Sequence, residues 1–405
     1  MEANSFSPID PAMGKMKNQT VSWKHGGGGL LGLLMMISLA VHAQEQAPTA
    51  ANSRSGVVYR NDRIPEKPLS IHITKVDRKR TDLQLATTLA QGTVLNLSTL
   101  SDQIKRLQAG GQKVLAGING DFYRTEREPY AGDPLGFQVM NGELVSGGTT
   151  NRPAFWIDAS GKPWITRVET RFEVALPDGS RFPFQLNEER LRGTARLYTP
   201  RLGSSTQTIG GREFVLEPAP DSQEWLPLKP GLSYRARIAS IRDQGNSPIP
   251  PGSMVLSIDS AMGIKNQALV VGGILELHMK TNPDTRGSNV AIGGSPTLLR
   301  QGKLADFKVN NDRHPRTAVG WNDESWFFVE VDGRQSNLSA GMTIKELAEY
   351  MQKLGATEAM NLDGGASATM WVFGQVVNSP CAGHERNTAN GLVVVRKDAS
   401  RRESD

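Results

Sequence analysis

Between about residues 135 and 300 the chain is cut repeatedly by turn signals: Asn141-Gly142, Ser160-Gly161, Asp178-Gly179, Gly210-Gly211, Gly245-Asn246, Gly272-Gly273 and Gln301-Gly302. Glycine beside Asn, Asp or Ser supplies the left-handed backbone that tight hairpins need, so the segments between these signals are short strands. No stretch of this region keeps helical periodicity for more than about two turns. The middle of the chain therefore reads as a β-rich body of hairpins.

The flanking thirds add two helices. In Thr99-Leu100-Ser101-Asp102-Gln103-Ile104-Lys105-Arg106-Leu107 the residues Leu100, Ile104 and Leu107 share a face, Thr99 or Ser101 can cap the start, and Gly110-Gly111 stops the turn. Thr343-Ile344-Lys345-Glu346 is a capping box opening a helix whose Ile344, Leu347, Ala348, Met351 and Leu354 face one way. Strands are expected at 70–76, 114–118, 326–331, 359–362, 370–373 and 392–395 from alternation or short apolar runs. The expected fold is α+β: an extensive mixed β-sheet with few helices and a β-rich insertion.

Composition excludes several classes. The 46 Lys and Arg against 41 Asp and Glu give a net charge of +5 with no basic stripe, so no nucleic-acid partner is expected. The single cysteine, Cys381, rules out an intramolecular disulfide, a CxxC redox pair and a thiolate zinc cluster. His72, His278, His314 and His384 follow no HExxH or HxH pattern, and there is no GxSxG elbow, so neither a zinc hydrolase nor a serine hydrolase of that type is indicated; no cofactor is called for, no metal-binding residue is marked, and the sequence leaves metal dependence open. Near the start, Lys15, Lys17 and Lys24 precede a 12-residue apolar run at 30–41 that closes in Val41-His42-Ala43. These are the three regions of a secretory signal peptide, and the run is too short for a permanent span. The expected organisation is a signal peptide at 1–43, a flexible leader at 44–56, one domain over 57–395 and a charged tail at 396–405. Periplasmic or secreted localisation follows, with no membrane span after cleavage.

Polar residues and glycines cluster at the ends of expected buried strands, where a rigid sheet can aim them into a cleft. The groups are Asn119-Gly120-Asp121-Phe122-Tyr123, Arg316-Thr317, Asp332-Gly333-Arg334, and Asn361-Leu362-Asp363-Gly364-Gly365-Ala366-Ser367. Turn chemistry or a surface ion pair would account for each of the first three alone. The fourth combines a carboxylate, an amide, backbone-exposing glycines and a hydroxyl, without the Lys of a phosphate-binding loop.

In this order, with Gly341-Met342-Thr343, Ala291-Ile292-Gly293-Gly294-Ser295-Pro296 and Glu385-Arg386-Asn387-Thr388-Ala389-Asn390, the motifs resemble the phosphodiester glycosidase family over about residues 57–395. Ala366 stands where that family often has a third glycine, and Cys381-Ala382 where it usually has Ser-Asp. The resemblance implies hydrolysis of a sugar-1-phosphodiester, with a carbohydrate or sugar-phosphate as the partner. Glycosidic cleavage needs carboxylates, and Asp363, Asp121, Asp332 and Glu385 are the available ones. Asp363 is expected to act as nucleophile or base with Asp121 or Glu385 as its partner. Arg316 and Arg386 suit a phosphodiester anion, and Asn119, Thr317, Arg334, Asn361, Gly364, Gly365 and Ser367 complete the expected substrate contacts. Two other readings use the same residues: a glycosidase or lyase acting on a phosphate-free envelope or capsular polysaccharide, and a non-catalytic carbohydrate-binding protein.

The signal-peptide reading predicts a mature protein that begins near Gln44 in the periplasmic or secreted fraction. N-terminal sequencing checks this, and recovery of residues 1–40 on cytoplasmic protein would contradict it.

Overall fold

The computed structural model describes residues 55–397 apart from 127, 149–151, 265–266 and 309–310. The expected signal peptide, all but the last two residues of the leader and most of the charged tail lie outside the described residues. The strands form four sheets, and among the described residues there are two α-helices, α1 (Leu100–Ala109) and α2 (Ile344–Lys353). No helix among the described residues is long and apolar enough to cross a membrane.

Two sheets lie face to face and set the site. The seven-stranded sheet has the order Val57–Ile64, Leu69–Asp77, Ser325–Val331, Arg316–Trp321, Glu358–Asn361, Thr297–Arg300, Lys303–Leu304. The five-stranded sheet has the order Gln375–Val376, Met370–Val372, Lys113–Asn119, Gly391–Arg396, Leu83–Thr87. Side chains alternating off these strands build three layers of core. Val319, Phe328 and Met360 from the first sheet meet Ile118, Met370, Leu392 and Val394 from the second. On the far sides, Ile71, Ile73, Phe327 and Val329 pack on Leu347 and Met351 of α2, and Val393 and Val395 pack on Leu100 and Ile104 of α1. The order is helix, sheet, sheet, helix. Strands covered on both faces read as continuous apolar runs, as Lys113–Asn119 does with six buried residues in succession.

Each helix performs the same connection. Helix α1 leads from Leu83–Thr87 to Lys113–Asn119, two mutually parallel strands separated by the antiparallel Gly391–Arg396. Helix α2 leads from Ser325–Val331 to Glu358–Asn361 across the antiparallel Arg316–Trp321. Both helices have ten residues and start at a threonine whose hydroxyl accepts the third backbone N–H of the first turn, and at Thr343 the reciprocal Glu346 bond closes the box. Beyond both returning strands the pattern repeats to the atom pair: Gly120 N–H donates to the Asn390 carbonyl at 2.9 Å, and Leu362 N–H to the Thr317 carbonyl at 2.8 Å.

The β-rich middle supplies the other two sheets. Residues 169–282 contribute all the strands of an eight-stranded sheet, in which Gln185–Leu186 pairing parallel to Ala195–Tyr198 is the one departure from antiparallel order among the described residues. A five-stranded sheet, Glu143–Ser146, Gln138–Met140, Val290–Gly293, Pro153–Ile157, Pro163–Arg167, completes the set. The extensive mixed sheet expected from the sequence is thus corrected to four sheets with, among the described residues, a single parallel pair. Hairpin connections give antiparallel neighbours, and both helical crossovers skip a strand, so neither produces a parallel pair in contact.

Leu347 is fully buried between α2 and the seven-stranded sheet. Leu347→Ala should cost about 2–5 kcal/mol of stability, measured by chemical denaturation, through lost burial and the cavity left behind.

Candidate functional site

The two returning strands end side by side. Asn119 Nδ2 donates to the Asp363 carbonyl at 2.7 Å, and Asp363 N–H donates to the Gly120 carbonyl at 2.9 Å. Asn119 Oδ1 accepts from the Thr317 hydroxyl at 2.7 Å and from Thr369 N–H at 3.0 Å. The buried amide therefore ties the end of one sheet to two strand ends of its neighbour. Asn361 holds the other flank, its Nδ2 donating to the Ser295 carbonyl at 2.6 Å, while its Oδ1 stays buried without a partner.

These ties place two carboxylates in one region. Asp121 is 1% exposed. Its N–H donates to Asn390 Oδ1 at 2.8 Å, its Oδ1 accepts Phe122 N–H at 2.8 Å, and Arg152 Nη2 lies 3.4 Å from the same oxygen. Its Oδ2 closes no well-formed hydrogen bond. A Cβ at Gly136 or Gly293 would lie 2.5 or 2.4 Å from Oδ2, so only glycine permits this approach. Burial raises the Asp121 pKa to about 6, against the opposing pull of Arg152 and the Phe122 and Gly136 amides, with Asp363 adding repulsion.

Asp363 is less enclosed. Its Oδ1 accepts Gly364 N–H at 2.9 Å. Burial raises its pKa above the ordinary carboxylate value, while the Ser367 hydroxyl, Gly364 N–H, Arg386 and Arg152 favour the ionised form. Ser367 Oγ is buried and stands against this carboxylate and Tyr123 without closing a well-formed bond to either. Buried polar atoms without partners are rare in native proteins. Three of them here, on Asp121, Asn361 and Ser367, belong to residues that the sequence marked.

Two exposed arginines, Arg386 and Arg334, lie near these strand ends. Arg386 is exposed, with its guanidinium 5.7 Å from the centre of the Tyr123 ring, and it lines a surface cleft of about 380 Å³ with Tyr123, Arg124 and Glu385. Arg334 sits at φ +59° with Nη2 3.3 Å from His314 Nδ1, over Gly365. Burial first, then Arg316 and Arg334, lower the His314 pKa, which keeps this imidazole neutral between two guanidinium groups.

Other expected residues are engaged elsewhere. Arg316 Nε donates to the Met342 carbonyl at 2.9 Å and Nη2 to the Asp312 carbonyl at 3.0 Å, so much of its donor fork clamps backbone. Glu385 Oε2 accepts Ser101 N–H at 3.1 Å in the first turn of α1. Asp332 is buried against His72 Nε2 at 2.9 Å, and with Glu330 these form, among the described residues, a group that could hold a metal ion. Another cleft, of about 480 Å³ beside Gly211, Phe214 and Ile258, gathers no comparable set, since its Asp259 pairs with Arg190 at 2.8 Å. Arg152 and Asn390 were not singled out as contacts of Asp121. Arg152 precedes Pro153 in a loop with no motif of its own, whereas Asn390 stood at the end of a quoted motif and could have been found there.

Comparison with known proteins agrees with the motif reading. Residues 239–395 match the phosphodiester glycosidase family, which shows the resemblance over that segment. Asp363, Arg316, Arg334 and Arg386 fall inside it; Asn119 and Asp121 lie before it and are brought to it by the fold. A hypothetical protein of Synechocystis has a similar structure at a TM-score of 0.66 and 19% identity, covering 85% of this chain and 62% of that one. A candidate exported protein of Burkholderia pseudomallei K96243 is similar at a TM-score of 0.63 and 21% identity, covering 80% and 74%. These two likenesses support the fold. A SPbeta prophage-derived uncharacterized protein, YomE, of Bacillus subtilis (strain 168) is 31% identical over 100 residues, which is 24% of this chain and 15% of that protein. The chain thus matches only part of the length of that relative and of the Synechocystis protein.

The Asp121 environment predicts a pH signature. The folded protein holds this proton up to about pH 6, while an ordinary aspartate of an unfolded chain releases it at 3.8. The folded state binds more protons across that window, so stability falls as pH rises through it, by about 3 kcal/mol once both states are ionised. Asp121→Asn does not titrate there. Its stability relative to the unsubstituted protein should rise by about that amount between about pH 4 and pH 7 in urea denaturation.

Proposed function

We propose that the chain is a glycosidase-type hydrolase that cleaves a sugar-1-phosphodiester. The observation that carries the reading is the pair of carboxylates from two sheets, Asp121 and Asp363, held in different environments beside arginines. In this reaction the bond between the anomeric carbon and the phosphate oxygen breaks, water adds its oxygen to that carbon, and the phosphate remains on the other group as a monoester.

The environments suit a division of labour. Asp363 meets two favourable donors and two guanidinium groups, which support an anionic nucleophile or base. Asp121, with its pKa raised to about 6, retains a proton at mildly acid pH and can donate it to the departing oxygen. Phosphate leaves readily, so this second contribution matters most for poorer leaving groups. Arg386 and Arg334, the exposed arginines of the region, fit the phosphodiester charge, and the free lone pair of Asn361 Oδ1 and the Ser367 hydroxyl fit sugar hydroxyls. Asn119 and Thr317 act by positioning, since their side chains bond each other and the Asp363 backbone. We further propose that the protein is exported and that its substrate is a glycan or envelope polymer, on the signal-peptide pattern.

The test is Asp363→Asn, which keeps the side-chain shape and removes the charge. Assayed on UDP-sugars and p-nitrophenyl glycosides with products identified by mass spectrometry, kcat should fall by a factor of about 100 or more while substrate binding persists. A folded variant keeping more than about half the activity assigns Asp363 to turn geometry, which asparagine serves as well. Cleavage of phosphate-free glycosides alone points to the other glycosidase reading.

A further inference from the structure

A second cluster of acids lies between the facing sheets, apart from the cleft carboxylates. His72 and Glu330 are directly opposed on the antiparallel strands Leu69–Asp77 and Ser325–Val331. Glu330 shares the inward face of Phe328, two residues earlier, and Asp332 follows two residues later. All three are essentially inaccessible, at 3%, 0% and 1% exposure. One ligand atom from each lies within 4.8 Å of the others.

His72 and Asp332 pair with each other, and Glu330 is left without a partner among the described residues. His72 Nδ1 is bonded to the Tyr59 hydroxyl at 2.8 Å, and Nε2 stands 2.9 Å from Asp332 Oδ2. Asp332 Oδ1 accepts Ser379 N–H at 2.7 Å. Neither Glu330 oxygen closes a well-formed hydrogen bond; the neighbouring Asn378 amide donates to the Ala368 carbonyl at 3.2 Å. Among the described residues, neither acid pairs with a lysine or arginine. Buried carboxylates are ordinarily paired or bound to metal, because desolvating an uncompensated charge is prohibitive.

We propose that His72 Nε2, Asp332 Oδ2 and the Glu330 carboxylate bind a divalent transition-metal ion of the Zn²⁺ or Mn²⁺ kind. Ligand bonds of about 2.0–2.2 Å meeting near a right angle put their donor atoms about 3 Å apart, which is the spacing of Nε2 and Oδ2. The Tyr59 hydroxyl on the other ring nitrogen fixes the ring as outer partners of metal-bound histidines do. One imidazole and two carboxylates suit such ions, whereas Ca²⁺ and Mg²⁺ call for more oxygen ligands. The role is structural: through Asp332 and Ser379, itself held by Gln335 at 2.8 and 2.9 Å, the ion anchors the segment leading to Arg386.

The full chain, stripped with EDTA and dialysed against Mn²⁺ or Zn²⁺, is freed of loose ion and measured for metal content and thermal midpoint. One ion per chain and a raised midpoint are expected with at least one of the two. Glu330→Gln keeps the side-chain shape and should bind at least about tenfold more weakly, while Asp363→Asn retains the ion. Asp332→Asn serves the same purpose if Glu330→Gln does not fold. An unmoved midpoint with less than about a tenth of an ion per chain overturns the proposal, as does retention at unchanged affinity by Glu330→Gln and Asp332→Asn. Loss of the ion in Asp363→Asn alone assigns binding to the cleft and overturns it equally.

Discussion

The reciprocal pair of hydrogen bonds between Asn119 and Asp363 and between Asp363 and Gly120 is the joint on which the site depends. Each sheet pairs its own strands and packs its own helix, but the two carboxylates follow strands of different sheets. Apolar packing between Ile118, Met370, Val319 and Phe328 brings the sheets together without fixing their register, since burial has no direction. The buried Asn119 amide, with one donor and two acceptor bonds fixed, supplies that register. An unpaired amide at this depth would cost more than the bonds return, so the arrangement admits little sliding.

The parts of this fold legible in the sequence are those fixed by local chemistry. Both helices begin at their threonines because the capping bonds are made within one turn. The strands at 114–118, 326–331 and 392–395 stood out because burial on both faces leaves no polar alternation. The motifs at 119–123 and 361–367 were visible since strand ends that carry Asn, Gly and Asp together are unusual in an apolar setting. How strands group into sheets was not legible: hairpins in a chain of this length can be distributed among one sheet or four with the same local pattern.

Individual site residues were harder to read for a related reason. Glu385 and Arg386 are adjacent, yet one carboxylate meets the first turn of α1 while its neighbour's guanidinium lies near Tyr123 and acts on Asp363. Arg316 has the charge expected of an anion contact, but nearby carbonyls take two of its donors. Arg152 acts on Asp121 from a loop without a motif. The His72 cluster joins residues 260 positions apart, so no spacing pattern in the sequence announces it.

The order in which these elements leave the ribosome matters as well. The strand Gly391–Arg396 lies between Leu83–Thr87 and Lys113–Asn119, and Asn119 reaches across 244 positions to Asp363. The five-stranded sheet therefore lacks the strand that joins Leu83–Thr87 to Lys113–Asn119 until residues 391–396 are available, and closing so distant a contact is slow. A growing chain contains Asp121 long before it can contain the pair. Assembly timing alone keeps the cleft from forming on an unfinished molecule.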